Sequence, residues 1–267
     1  MRTIYIKLAK LVSNWRTIKH MDVDIVESYA NSNKRLFLLD YDGTLVSIAR
    51  LPEEAKPSAK VLNLLALLAS DTKNTVAVVS GRKYQDLEMW LGHLPIAFFA
   101  EHGMLVRLPG QDWTTTKNLD TSWKIPLRQL MQQYVSGMPG SFIEEKTNGL
   151  VWHYRTVTNQ EGAEQAATAL AKKLEVLSKG YHLRIICGSK IVEVQPESIN
   201  KSTCVVYWLG QRGWDFVLIA GDDTTDEDMF RAAPESAFTI KVGEGSSAAH
   251  LKVASPEELL ELLASLT

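Results

Sequence analysis

The chain has 267 residues, a formal net charge of −2 and a pI near 6.3, which excludes a strongly basic nucleic-acid or polyanion binder. Its 45% hydrophobic and 22% charged content is that of an ordinary globular chain, long enough for one large domain or two modest ones. A membrane span is excluded as well, because the longest apolar run, residues 61–69, is broken by Asn63 and reads as a helix face.

Residues 1–20 lack the apolar core and small-residue cleavage site of a secretory signal. Cys187 and Cys204 have neither a disulfide framework nor metal-ligand spacing, and both are expected as small apolar residues in a reducing, cytoplasmic setting. Residues 1–33 are polar, mixed and without clear period, and read as a leader or linker, partly helical. Order begins at residues 36–39, a continuous apolar run suited to a strand buried on both faces.

From there strands and helices alternate. Pro57 opens a helix with apolar residues at helical spacing to Leu68, residues 75–79 form a second buried strand, residues 82–91 a helix, and residues 96–100 a third strand. The middle of the chain differs. A helix over 126–135 is followed by a hairpin of 141–146 with 150–155 around Asn148-Gly149, a long helix over 160–178, and a second hairpin of 182–186 with 190–195. After Pro196 the alternation returns, with helices over 201–209 and 225–232, strands over 216–220 and 237–241, and a last helix opened by Ser255-Pro256. This order predicts an α/β fold: a doubly wound parallel-sheet, Rossmann-like core (residues 34–120 and 196–267) with an inserted α+β cap domain (121–195). The crossings near 107–120 and near Pro196 are expected to act as hinges.

The chemistry-bearing residues fall at the carboxyl ends of the strands, where open parallel sheets bind ligands. Asp40-Tyr41-Asp42-Gly43-Thr44 follows the first strand, and Gly43 permits a turn that aims both carboxylates into one crevice. The alternatives are an ordinary acidic turn or a calcium loop, and the stretch lacks the third oxygen residue and distal glutamate that a calcium loop needs. Gly221-Asp222-Asp223-Thr224-Thr225-Asp226-Glu227 brings a second acidic set to the same edge; Thr224 or Thr225 could instead cap the next helix. So many acids in one place repel unless a cation neutralises them, and oxygen ligands beside a phosphate favour Mg2+. Ser80, in Ser80-Gly81-Arg82, and Lys201, in Asn200-Lys201-Ser202, sit where helices are expected to start and can offer donors to phosphoryl oxygens, although Ser-Gly alone is usually only a turn.

Asp40-Tyr41-Asp42-Gly43-Thr44, Ser80, Lys201 and Gly221-Asp222-Asp223 together resemble, in order and context, the four motifs of the haloacid-dehalogenase-like phosphatases. The resemblance implies that Asp40 is the nucleophile, Asp42 the acid and base, and Ser80 and Lys201 the stabilisers of phosphoryl charge. It also implies Mg2+ held by Asp40, by the backbone carbonyl of Asp42 and by Asp222, with Asp223 and Asp226 shaping that shell. Ser80-Gly81-Arg82, Ala100-Glu101-His102-Gly103, Glu145-Lys146, His153-Tyr154-Arg155 and Val192-Glu193-Val194 further resemble the trehalose-6-phosphate phosphatase family.

That resemblance implies hydrolysis of trehalose 6-phosphate, the last step of trehalose synthesis. Lys146 and Glu193 on the cap, with Arg82, Glu101 and His102 on the core, are the candidates for contacting the sugar, and His153, Arg155 and Asn200 join them. The alternative is that Lys146 and Glu193 are exposed hairpin residues, and His153 and Arg155 structural partners within the cap sheet. Ser202 departs from the glycine that many relatives carry at this position. Lys34-Arg35-Leu36 is similar to the join in fused synthase–phosphatase chains, which implies a trehalose-phosphate synthase as a partner, although residues 1–33 are too short to contain one. A monomer is expected. The rival readings are a sucrose- or mannosyl-phosphate phosphatase with the same core, a phosphosugar mutase, and a silent sugar-phosphate sensor.

Overall fold

A computed structural model describes the chain at residues 18–211 and 213–267. Its centre is strand β1 (Arg35–Asp40), whose six residues are all buried, as the unbroken apolar run requires. Strands β2 (Asn74–Val79) and β3 (Ala97–Ala100) lie in parallel to one side. The short β4 (Leu105–Arg107) and β5 (Thr114–Thr115) follow in antiparallel order. On the other side of β1, strands β10 (Phe216–Gly221), β11 (Phe238–Val242) and β12 (Leu251–Val253) continue the parallel sheet. The order is therefore β12-β11-β10-β1-β2-β3-β4-β5, and the chain winds outward in both directions from the β1/β10 seam.

Alternation along β1 and β2 divides the core. Phe37, Leu39, Val76 and Val78 face helices α2 (Ala59–Ser70), α3 (Tyr84–Leu91) and α8 (Pro256–Ala264). Leu36, Leu38, Ala77 and Val79 face α6 (Ser202–Leu209) and α7 (Glu227–Ala232). Ser58 caps α2 by accepting from Val61 N–H, and Ser255 caps α8 by accepting from Glu258 N–H.

Between β5 and α6 lies a second, antiparallel sheet of order β6-β7-β9-β8, built from β6 (Phe142–Glu145), β7 (Leu150–His153), β8 (Leu183–Gly188) and β9 (Ile191–Pro196). Helices α4 (Lys124–Gly137) and α5 (Gln160–Leu177) cover one of its faces. There Leu150, Trp152, Val192 and Val194 pack with Trp123, Leu127 and Leu170 in a core of their own. This is the inserted α+β cap. The Asn148-Gly149 turn closes its first hairpin with Lys146 N–H donating to Gly149 O at 3.0 Å. Ion pairs join both edge strands to the large sheet's side of the molecule: Glu144 of β6 lies 3.6 Å from Lys83, and Arg184 of β8 lies 2.6 Å from Asp228. No helix among the described residues is long and apolar enough to cross a membrane.

Four readings of the sequence are corrected. Residues 1–17 lie outside the described residues, but 18–31 form helix α1 (Ile18–Asn31), so the later part of the expected leader or linker belongs to the fold. Ile25 is 1% exposed in the main core, and the Tyr29 ring meets Phe37 and Phe216 at 6.1 and 5.6 Å. The Arg35 guanidinium lies 3.8 Å above Tyr29 while pairing with Asp71. Strands β4 and β5 occupy part of the expected 107–120 hinge, and Lys117 Nζ bridges that crossing to the other by donating to Ser198 O at 2.7 Å. Strand β12 was not anticipated, since three residues carry too little pattern. Helix α3 starts at Tyr84, leaving Ser80 and Arg82 in the loop that follows β2.

Replacing Ile25 by alanine should destabilise the protein by about 2–4 kcal/mol, read as a lower urea midpoint at constant m-value. An unaltered midpoint would mean that α1 contributes nothing to the core.

Candidate active site

Asp40 ends β1, next to the seam with β10, and is buried. Its Oδ1 accepts from Lys201 Nζ at 2.5 Å, and the same ammonium donates to Asp226 Oδ1 at 2.7 Å. Lys201 reaches both because it stands at the start of α6, where the chain returns from the cap. Burial alone would lower its ammonium, but Asp226 and Asp40 outweigh burial and hold it above the usual lysine value. Burial and then Asp226 push the Asp40 carboxyl well above the usual range, against Lys201. Asp222, just past β10, is pushed up to about 6 by burial and then by Asp226.

The loop geometry that assembles these groups is specific. Gly43 adopts φ +82°, and a Cβ there would lie 2.1 Å from Asp222 Oδ2, so only glycine lets the two acidic loops approach. Asp226 Oδ2 accepts from the N–H groups of Asp222 and Asp223 at 3.0 and 2.9 Å, pinning the second loop. Asp226 stands at the N-cap position of α7 without a side-chain cap bond, and neither Thr224 nor Thr225 takes that place; Thr224 N–H and Oγ1 donate to Asp223 Oδ1. Ligand oxygens of Asp40, Asp222 and Asp226 lie within 4.8 Å of one another. Three carboxylates against the single Lys201 ammonium leave a deficit that fits a divalent cation, and an all-oxygen set suits a hard one.

Asp42 turns toward the core side of the cleft, where Arg82 grips it with two bonds, Nε to Oδ2 at 2.7 Å and Nη2 to Oδ1 at 2.6 Å. Arg82 also donates to Pro52 O and lies 4.8 Å from the Trp90 ring, so its guanidinium is committed to positioning Asp42. Ser80 is buried, and its hydroxyl accepts from Arg82 N–H at 3.1 Å. After β3, Glu101 and His102 both take left-handed conformations (φ 49° and 58°), held by N–H bonds to Arg82 O and Ser80 O. A Cβ on Gly81 would lie 2.6 Å from His102 Nε2, so glycine makes room for that ring.

The cap sheet closes the other wall. Lys146 Nζ donates to Glu193 Oε1 at 2.7 Å, and Glu193 Oε2 lies 3.4 Å from His102 Nε2, joining cap to core in a buried triad. Burial would raise Glu193, but Lys146 and His102 hold its carboxyl far below the usual range, while burial lowers the His102 imidazole despite Glu193. Glu144 Oε2 lies 2.8 Å from His153 Nε2. Burial opposes ionisation of Glu144, yet the His153 hydrogen bond and Lys146 bring its carboxyl down to about 2. Thr147 Oγ1, at the hairpin turn, donates to Glu101 Oε1 at 2.9 Å.

These walls enclose a cleft of about 390 Å³. The structure brings Asp40, Asp42, Arg82, His102, Lys146, His153, Arg155, Glu193, Lys201, Asp222 and Asp223 to its lining. Ser80, Glu101 and Asn200 lie outside that lining: Ser80 props Arg82, Glu101 holds the cap turn, and Asn200 Oδ1 accepts from Ser202 N–H and its hydroxyl. Ser202 thus serves the start of α6 where glycine was expected. Arg155 Nη2 is bound to Ser189 O at 2.6 Å at the cleft's rim. Asp42 and Asp223 keep their carboxylates out of the acidic trio, in which Asp226 takes part. Sequence reasoning missed Phe142 and Glu144; their even spacing, four and two residues before Lys146, was the available signal, once the strand register was known.

A doubly wound sheet with a DxDGT turn, a lysine and a second acidic loop at one edge defines the haloacid-dehalogenase-like hydrolases. Such a hydrolase from Bacteroides thetaiotaomicron shares the fold with a TM-score of 0.61 at 12% identity, over 88% of this chain and 100% of that one. The chain belongs to the trehalose-phosphatase family, whose model matches residues 38–257. It is 41% identical over 252 residues to the bifunctional trehalose-6-phosphate synthase/phosphatase of Thermoproteus tenax, covering 94% of this chain and 34% of that protein. The chain likewise spans only 31% and 34% of two other curated relatives. The C-terminal domain of Candida albicans trehalose-6-phosphate phosphatase aligns with a TM-score of 0.86 at 32% identity, over 92% of this chain and 96% of that one.

The Glu144–His153 pair yields a pH prediction. A carboxyl held near 2 when folded and near 4.5 when unfolded contributes stability that is present above about pH 4.5 and lost as pH falls toward 2. Glu144→Gln should therefore be less stable than wild type at pH 6 by about 1–3 kcal/mol, and the gap should close between pH 4.5 and 2 in urea unfolding.

Proposed function

We propose that the chain is a Mg2+-dependent phosphatase that hydrolyses trehalose 6-phosphate to trehalose and phosphate, the last step of trehalose synthesis. The observation that carries this reading is Asp40, set at the floor of the cleft between a lysine and the acidic trio, with Asp42 two residues away. Family membership and the fit of the acidic loops support it.

In this reading Asp40 attacks phosphorus and becomes an aspartyl-phosphate, so that one difficult displacement is divided into two. Lys201 holds the attacking carboxylate by its Oδ1 and offers positive charge to the phosphoryl oxygens. Asp42, steadied by Arg82, gives its proton to the departing sugar oxygen and then takes one from the water that cleaves the acyl-phosphate. Ser80 acts by supporting the backbone of the Arg82 loop. Asp40, Asp222 and the backbone carbonyl of Asp42 would hold Mg2+, with Asp223 and Asp226 shaping the loop. When bound, the ion supplies charge neutralisation for the carboxylates and the phosphoryl group. Lys146 and Glu193, with His102 behind them, present paired donors and acceptors to sugar hydroxyls.

The cap boundaries at 121–195 and a monomeric state are part of this proposal. The two free cysteines support the cytoplasm as its compartment. The relative named synthase/phosphatase supports a trehalose-phosphate synthase as partner.

Phosphate release from trehalose 6-phosphate, sucrose 6-phosphate and glucose 6-phosphate, with Mg2+ and with EDTA, tests the proposal. Expected is a Mg2+-dependent preference for trehalose 6-phosphate, lost by at least about 10³-fold in Asp40→Asn and by about 10²- to 10⁴-fold in Asp42→Asn. A preference for either other sugar phosphate would overturn the substrate, and an active Asp40→Asn would overturn the nucleophile.

A further inference from the structure

The cap sheet has two chemically distinct faces. Its cleft side carries Phe142 and Glu144 of β6 and, just past the strand, Lys146, with Val151 and His153 of β7 opposite β6 and pairing in turn with Glu193 and Ile191 of β9. On a face that carries charged side chains, Phe142 is the one large aromatic hydrocarbon, and it is 36% exposed. Exposure of a single apolar residue is ordinary; its setting here is not. Phe142 and His153 are directly opposed cross-strand partners whose rings stack at 4.6 Å with 8° between planes. His153 is in turn fixed by Glu144 at 2.8 Å, so the lower ring of the stack cannot turn freely. Both rings line the cleft, and across it Ile48 of the loop after β1, 47% exposed, adds a second apolar surface.

We propose that Phe142, backed by His153, is a flat apolar platform that receives the C–H face of a pyranose ring of the substrate. The inference rests on the sugar-phosphatase reading and adds a specificity-determining residue to it. A pyranose has hydroxyls around its rim and C–H bonds on its faces. Charged groups such as Lys146 and Glu193 can satisfy the rim, but a face presented to them would leave their hydrogen bonds unmade. An aromatic ring, with its negative π surface, is the complementary partner for those weakly positive C–H groups. The platform stands on the same sheet face as the Lys146–Glu193 pair, so one rigid element meets both parts of the sugar. Phe142 is thus a binding residue, and His153 and Glu144 position it.

The test compares wild type, Phe142→Ala and Phe142→Tyr on trehalose 6-phosphate, sucrose 6-phosphate, glucose 6-phosphate and acetyl phosphate, which has no ring. Expected for Phe142→Ala is a fall of about three- to tenfold in the ratio of kcat/KM for pyranose phosphates over acetyl phosphate, carried by KM. Phe142→Tyr, which keeps the ring, should stay within about twofold of wild type in that ratio. If wild type prefers trehalose 6-phosphate and the ratio is the same in Phe142→Ala, the platform is overturned and the function stands. If wild type prefers another pyranose phosphate, the trehalose reading falls and the ratio measured with that substrate decides the platform. Hydrolysis of acetyl phosphate alone would overturn both.

Discussion

A lysine ammonium buried between two carboxylates is expensive to assemble and tolerable only with close geometry, since each charge forfeits its hydration. Lys201 meets that condition with bonds of 2.5 and 2.7 Å to Asp40 and Asp226. Much of the architecture follows from it. Asp40 must come from the end of the central strand, Asp226 from the loop after its neighbour β10, and Lys201 from the first turn after the cap. The inserted domain can therefore be as large as its own core allows, provided that its two crossings leave and return close together. The bond from Lys117 to Ser198 spans those crossings. The same ammonium leaves the acidic trio short of positive charge, and burial together with Asp226 raises the carboxyls of Asp40 and Asp222 above the usual range.

A second arrangement of charge governs the wall opposite. Lys146 and Glu193 belong to the cap, His102 to the core, and their contact crosses the interface between the two. On the core side the contact depends on two consecutive left-handed residues, Glu101 and His102, a conformation uncommon outside glycine. The loop is held in it by its backbone bonds to Arg82 and Ser80, which also hold the residue gripping Asp42. The acidic site and the cap-facing wall are in this way parts of one hydrogen-bonded framework.

The parts of this design legible in the sequence are those with strong local signatures. Buried strands such as β1 and β10 read as unbroken apolar runs, the Asn148-Gly149 turn as a hairpin, and the DxDGT turn as a strand-end site. The packing of helix α1 against the core escaped because Ile25 and Tyr29 are sparse among polar neighbours, and the Tyr29 partners Phe37 and Phe216 are distant in sequence. Arg82 was read as a sugar ligand because its bond to Asp42 is also non-local. Phe142 was missed for another reason: which face a strand residue takes depends on register, and no residue of β6 reveals that alone. Thr224 and Thr225 looked like helix caps by composition, whereas it is the Asp226 side chain that turns back to pin the loop before it.

The alternation of the cap sheet carries an evolutionary consequence. Residues 143, 150, 152, 192 and 194 hold the cap together, while residues 142, 144, 146, 153 and 193 face the cleft. Because neighbours in sequence serve opposite faces, point changes in the second set can alter ligand preference with little effect on the packing of the first. A lineage could drift from one ligand to another by such steps, leaving the Asp40–Lys201–Asp226 arrangement untouched. An insertion of one residue in either hairpin would have the opposite effect, exchanging the two sets and losing fold and selectivity together.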